Sequence, residues 1–226
     1  MIPLFSSTDI AALGLFAICW WGFPWYAASH ARSRPSLGPL INNYRREWMV
    51  EVLSRDMRMV DTSILASLGN SATFFSSTTI LILGGLLAML STSEEILAAI
   101  GKLPLAVRTT AQIWEMKVML MLAIFTYAFF KFTWSLRQFN FVSMLVGAAP
   151  AKDGDLNTQQ TFAKRAGSVL EHAGEAFSEG LRAYYFSLAA LTWFVHPLLF
   201  MLATAWVVGI LYYLEFKSDA VETLRR

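Results

Sequence analysis

Imidazole and thiol groups are scarce in this chain: His30, His172, His196 and Cys19 are the complete set. The histidines lie far apart, and none has the H-x-x-x-H or E-x-x-H spacing that aims two ligands at one metal. Glu171, His172 and Glu175 fall within about one helical turn. They read either as an acid–base or metal site or as a solvated helix face, and the solvated face is the reading adopted. The sequence contains no G-x-S-x-G elbow, no Walker phosphate loop and no Rossmann glycine pattern. No catalytic residue, metal or cofactor is therefore expected, and the chain reads as a non-enzyme. The lone Cys19 sits in an apolar run, which excludes an intrachain disulfide and suits a small buried side chain.

The polar groups that invite a function lie in or beside long apolar runs. His196, next to Pro197, interrupts one of them, where an ionisable group is a functional suspect and a neutral histidine beside a proline kink is the plainer account. At 100° per residue Asn70, Thr73, Ser77 and Gly84 share one helix face, with Ser71, Thr78 and Gly85 forming a second stripe. Small and hydroxylated residues let helices pack closely, and they can also line a hydrated path. Either way this helix is expected to face protein.

Arg45, Arg46, Lys131, Arg137 and Arg182 should gather near one membrane surface. In-bundle pairing with Glu47, Glu51 or Asp61, anionic lipid headgroups, and an anion-attracting vestibule account for them in that order. Nucleic acid fits poorly, because the neighbouring rings belong to a membrane boundary and acidic residues are interspersed. On a helix, KFTWSLRQFNF resolves into three faces. Lys131, Ser135 and Gln138 form one, Thr133, Arg137 and Asn140 another, and Phe132, Leu136 and Phe139 an apolar third. Both polar rows are expected to meet neighbouring helices or an anion.

The elements that position these groups follow from composition. Of 226 residues 56% are hydrophobic and 15% charged, too apolar for an ordinary soluble domain. Apolar runs near 10–28, 72–90, 116–134 and 188–214 each reach the ~20 residues that a helix needs to cross a bilayer. The N-terminal run lacks a basic leader and a small-residue cleavage site, so it reads as a retained span. The segments flanking these spans carry twelve Lys and Arg on one side (residues 29–71 and 131–182) against six on the other. That bias places both long connections in the cytoplasm and both termini outside. Residues 41–68 contain no Gly or Pro and read as one helix, with Glu51–Arg55 and Arg58–Asp61 paired along its flank. Residues 158–182 read as another helix, with Glu171, Glu175 and Glu179 in a row. SEEILAAIGKLP reads as a short interfacial helix, and GAAPAKDGDLN as the true loop.

The strings NYRREWM, RMVD, ATFFSSTTILILGG, AFFKFTWSLRQFNF, GAAP, GLRAYYF and LEFKS occur in this order. Over about residues 40–218 the chain resembles the bacterial integral membrane family catalogued as domain of unknown function 599. The resemblance implies a multi-span inner-membrane protein and brings no activity with it. The expectation is a single all-α domain, a four-span transmembrane bundle with helical cytoplasmic extensions. Its partners would be membrane lipids with anionic headgroups and a second copy or another membrane protein. Its task would be ion or small-solute passage, anions preferred, or else that of an accessory subunit of a larger membrane complex.

Overall fold

The computed structural model describes residues 6–30, 36–91 and 110–225, and among them the chain is helical with no strand. The helices are α1 (Ser7–His30), α2 (Leu37–Ser54), α3 (Met59–Ser91), α4 (Ala111–Gly147), α5 (Leu156–Thr192), α6 (Pro197–Phe216) and α7 (Asp219–Arg225). Four of the elements, α1, α3, α4 and the one starting at Pro197, are long and apolar enough to cross a membrane. The expected interfacial helix at 93–104, like Arg32, Arg34, Lys102 and Arg108, lies outside the described residues.

Local chemistry sets the helix starts. Thr110 accepts from the Ile113 N–H, and Asp155 from the Thr158 N–H at 2.9 Å, so each caps an orphan donor at the head of α4 or α5. Packing then divides the bundle into two storeys. In one, α1, α6 and the adjoining halves of α3, α4 and α5 bury Phe16, Phe125, Phe186, Trp193 and Phe200. In the other, α2 closes against the opposite halves of α3, α4 and α5 over Met49, Val52, Leu65, Phe139 and Leu170. Phe132, stacked on Phe75 at 5.1 Å and beside Phe177 at 5.5 Å, marks the floor between them. The first storey holds the apolar spans, and the second is the helical extension.

The segment expected to be one helix over 41–68 is two. Arg55 leaves the helix in extended backbone, and α3 restarts at Met59. Tertiary partners drive this break. Asp61, fully buried, accepts from Trp48 Nε1 at 2.7 Å and from Arg55, while Arg58 donates to the Ala149 and Pro150 carbonyls just past α4. Arg55 and Arg58 thus serve the turn rather than the helix flank.

The span expected over 188–214 also divides. A continuing helix would need an N–H at residue 197 for the Trp193 carbonyl, and Pro197 has none. Lys117 Nζ takes that carbonyl instead at 2.8 Å, and the Trp193 indole donates to Asp9 Oδ1 at 2.8 Å. The chain reverses over 193–196, so α6 runs back alongside α5. Because α1 and α6 are parallel, with Asp9 beside Trp193 at one end and Tyr26 against Phe216 at the other, the first helix starts and the last long helix ends at opposite ends of the bundle. The charge count treated 188–214 as one crossing, whereas the chain reverses within it at Pro197.

Candidate functional site

Folding back α6 brings α5 between the apolar spans, and α5 carries charge there. Along one flank, Glu171, Glu175, Glu179 and Arg182 form successive rungs, each facing a different partner. Glu171 pairs bidentately with Arg46, its Oε2 accepting from Nη2 at 2.9 Å. Glu175 accepts from Asn42, which in turn accepts from Arg45 Nη1 at 2.6 Å. Glu179 pairs with Lys131, whose ammonium also lies 5.4 Å from the Tyr127 ring centroid. Arg182 feels the charge of Glu215 on α6, and Glu215 Oε1 accepts from the Gly38 N–H at 3.2 Å. The carboxylate row of the sequence is therefore a ladder of pairs rather than a solvated face. His172 points away from it and is exposed. No cluster of three metal-ligating side chains occurs among the described residues.

Two of these pairs alter the ordinary acidity of their groups. Hydrogen bonding to Glu171 raises the Arg46 guanidinium above its usual value. Burial lowers Arg45, against the pull of Glu175 and Glu171. Glycine makes the close approach feasible: a Cβ at Gly174 would overlap the Arg45 guanidinium, and one at Gly167 would touch the Arg46 backbone at 3.5 Å.

The upper rungs lie beside the apolar spans. Lys117 and Lys131 are fourteen residues apart on α4, about 21 Å of helix. A hydrocarbon core is ~30 Å thick. The Asp9–Lys117–Trp193 level and the Lys131–Glu179–Arg182 level therefore cannot both lie outside it. Between α1, α4 and α5, at the second level, is a cleft of about 200 Å³ walled by Trp20, Trp21, Tyr127, Phe186, Glu179 and Arg182. Sequence reasoning left this cleft out because α5 is too charged to count as a span. The signal was Arg182, after which the rest of α5, 183–192, carries no charge.

The other expected site residues divide. On α3 the buried stripe is Gly69, Ala72, Ser76 and Thr79, with Gly69 against Leu136 of α4 and the Thr79 hydroxyl 2.8 Å from that of Tyr184 on α5. Asn70, Thr73, Ser77 and Gly84 are one position round and exposed, so they face out of the chain. Small residues do mediate the packing, and burial chose the neighbouring stripe. Thr73 and Thr78 spend their hydroxyls on the Gly69 and Phe74 carbonyls. In KFTWSLRQFNF only one polar row meets a neighbour: Lys131 reaches Glu179, and Ser135 donates to the Ala173 carbonyl at 2.7 Å. Arg137 and Asn140 face outward, with Arg137 lying over the Phe141 ring. His196 is no mid-span group. It is the N-cap of α6, its Nδ1 accepting from the Leu198 N–H at 3.1 Å.

Long apolar helices, charged groups paired among them and a helical extension at one end define a polytopic helical membrane protein. The chain belongs to the family described as protein of unknown function, DUF599, whose profile matches residues 11–220 and so takes in the first span as well. No curated protein and no solved structure matches it.

Proposed function

We propose that the protein is a non-enzymatic, homo-oligomeric module of the bacterial inner membrane that passes an ion or small solute, anions preferred. The observation that carries this reading is the outward face of α3. Asn70, Thr73 and Ser77 are exposed on a helix long and apolar enough to span, and none of the other described residues covers them. Such polar positions favour protein or water over lipid. A second copy applied to this face would line a path with hydroxyls, and Gly84 and Gly85, with open space where a Cβ would stand, allow close approach. The anion preference rests on Arg137. The Gly69–Leu136 contact sets it at the level of Asn70, and it is exposed, whereas Arg46 and Lys131 are paired. Protein reconstituted in liposomes should show flux that falls when Thr73 and Ser77 are changed to Leu. No flux above empty liposomes for a range of ions rules the reading out.

A second uncovered surface favours an accessory subunit. Leu202, Ala205, Trp206, Gly209 and Tyr213 of α6 form an outward apolar groove of about 510 Å³ that a helix of another protein would fill. Native mass in mild detergent separates the two readings: a closed homo-oligomer in the first, a fixed-stoichiometry complex with another chain in the second.

A further inference from the structure

The cleft between α1, α4 and α5 has a use independent of solute passage. The Arg182 side chain makes no hydrogen bond or ion pair with any described residue, yet Arg182 lines the cleft. Such a group offers five donors in a fork that suits a phosphate or carboxylate. Glu179, three residues earlier and hence about 5–6 Å away between Cβ atoms, gives one oxygen to Lys131 and keeps acceptor capacity on the other. A further acceptor is the Trp20 carbonyl, because Pro24 lacks the N–H that would bond it within α1. Among the described residues, Lys131 and Arg182 at this level balance Glu179 and Glu215. A lone anion or cation would leave net charge in a medium of low dielectric, and a zwitterion would not.

The position of the cleft narrows the class. Its lip faces away from the bundle, with Trp21 72% and Tyr127 38% exposed, and the exposed rings of Trp25 and Phe130 continue the apolar wall outward. It sits at the level of Lys131, one turn from Trp134, where the apolar stretch of α4 ends. This is the boundary at which headgroups meet acyl chains. We propose that the cleft binds the headgroup of an ethanolamine phospholipid, with phosphate on Arg182, ammonium on Glu179 and the Trp20 carbonyl, and an acyl chain against Trp21. The shared chemistry, a phosphate and a primary ammonium a few bonds apart, also occurs in free phosphoethanolamine.

The test is native mass spectrometry of the full-length protein, with retention of added phosphatidylethanolamine compared with phosphatidylcholine, phosphatidylglycerol and soluble phosphoethanolamine. Phosphatidylethanolamine should be retained about tenfold better than the choline lipid, the worth of one charge-assisted hydrogen bond that a trimethylammonium cannot make, and better than the glycerol lipid, whose headgroup has no positive charge to set against Glu179. Glu179→Gln should bring the ethanolamine and choline lipids level. Arg182→Gln should lower retention of all three. Trp21→Ala, at an exposed position that leaves the core intact, should also weaken the ethanolamine lipid, and it decides the matter if the charge variants do not fold. Equal retention of all headgroups, a preference untouched by Glu179→Gln, or retention of the ethanolamine lipid untouched by Trp21→Ala, overturns the proposal. Soluble phosphoethanolamine displacing the lipid at equal concentration overturns the lipid assignment in favour of a free solute. Liposome flux does not enter this outcome, so the two proposals fail separately.

Discussion

A Cβ at Gly180 would lie 2.6, 2.8 and 2.9 Å from three atoms of the Phe132 ring. Real Cβ atoms do not approach so closely, so Gly180→Ala requires a shift. The ring has little room to give. It is fully buried, stacked on Phe75, and flanked by Phe177 and by Tyr184 at 5.6 Å. Overpacking of this kind costs about 1–3 kcal/mol. Against it stands the helix-propensity gain of about 0.8–1.0 kcal/mol for replacing glycine with alanine. Gly14→Ala supplies the control, since nothing lies within 4 Å of a Cβ there and only the propensity gain applies. The propensity contribution cancels between the two variants, leaving the clash as their difference. At about 2–4 °C per kcal/mol for a chain of this size, Gly180→Ala should melt roughly 2–12 °C below Gly14→Ala in the same detergent. Phe132→Leu, which removes ring atoms at the point of contact, should shrink that gap. A Gly180→Ala variant that melts as high as Gly14→Ala, or a gap unchanged by Phe132→Leu, would refute the proposed floor between the storeys.

Three further outcomes follow from the same coordinates. His196→Ala should cost about 1 kcal/mol through loss of the α6 cap, while His196→Asn, itself a good N-cap, should be near neutral; thermal unfolding of both variants checks this. Single cysteines at Ser6 and Ser218, in a Cys19→Ala background, should label with a membrane-impermeant maleimide from opposite sides of sealed vesicles, and labelling from one side only contradicts the α5–α6 reversal. The Asp155 carboxylate is held below its ordinary value by the backbone N–H and hydroxyl of Thr158. Its contribution is therefore present above the usual carboxylate range and lost as pH falls through the lowered folded value, so acid unfolding of Asp155→Asn should have a shallower pH dependence than that of the parent.

Apolar length is a local property, and it was legible without coordinates. The runs in α1, α3, α4 and α6 read as membrane helices because backbone amides in lipid have no other partner than their own helix. The continuous helix through Glu171–Arg182 and the grouping of Lys131, Ser135 and Gln138 on one face were equally local, since periodicity acts over a few residues. Which stripe of α3 packs was not legible. Two neighbouring small-residue stripes satisfy the same rule, and only the fit of Gly69 against Leu136 selects one. The breaks at Arg55 and Trp193 were hidden for a related reason. Each is held by distant groups, Asp61 with the Ala149 and Pro150 carbonyls in one case, Lys117 with Asp9 in the other. The second break matters most. By folding α6 back on α5, it carries Glu179 and Arg182 in among the spans, where a charge must find a partner, and creates the cleft that composition alone assigned to an ordinary surface helix.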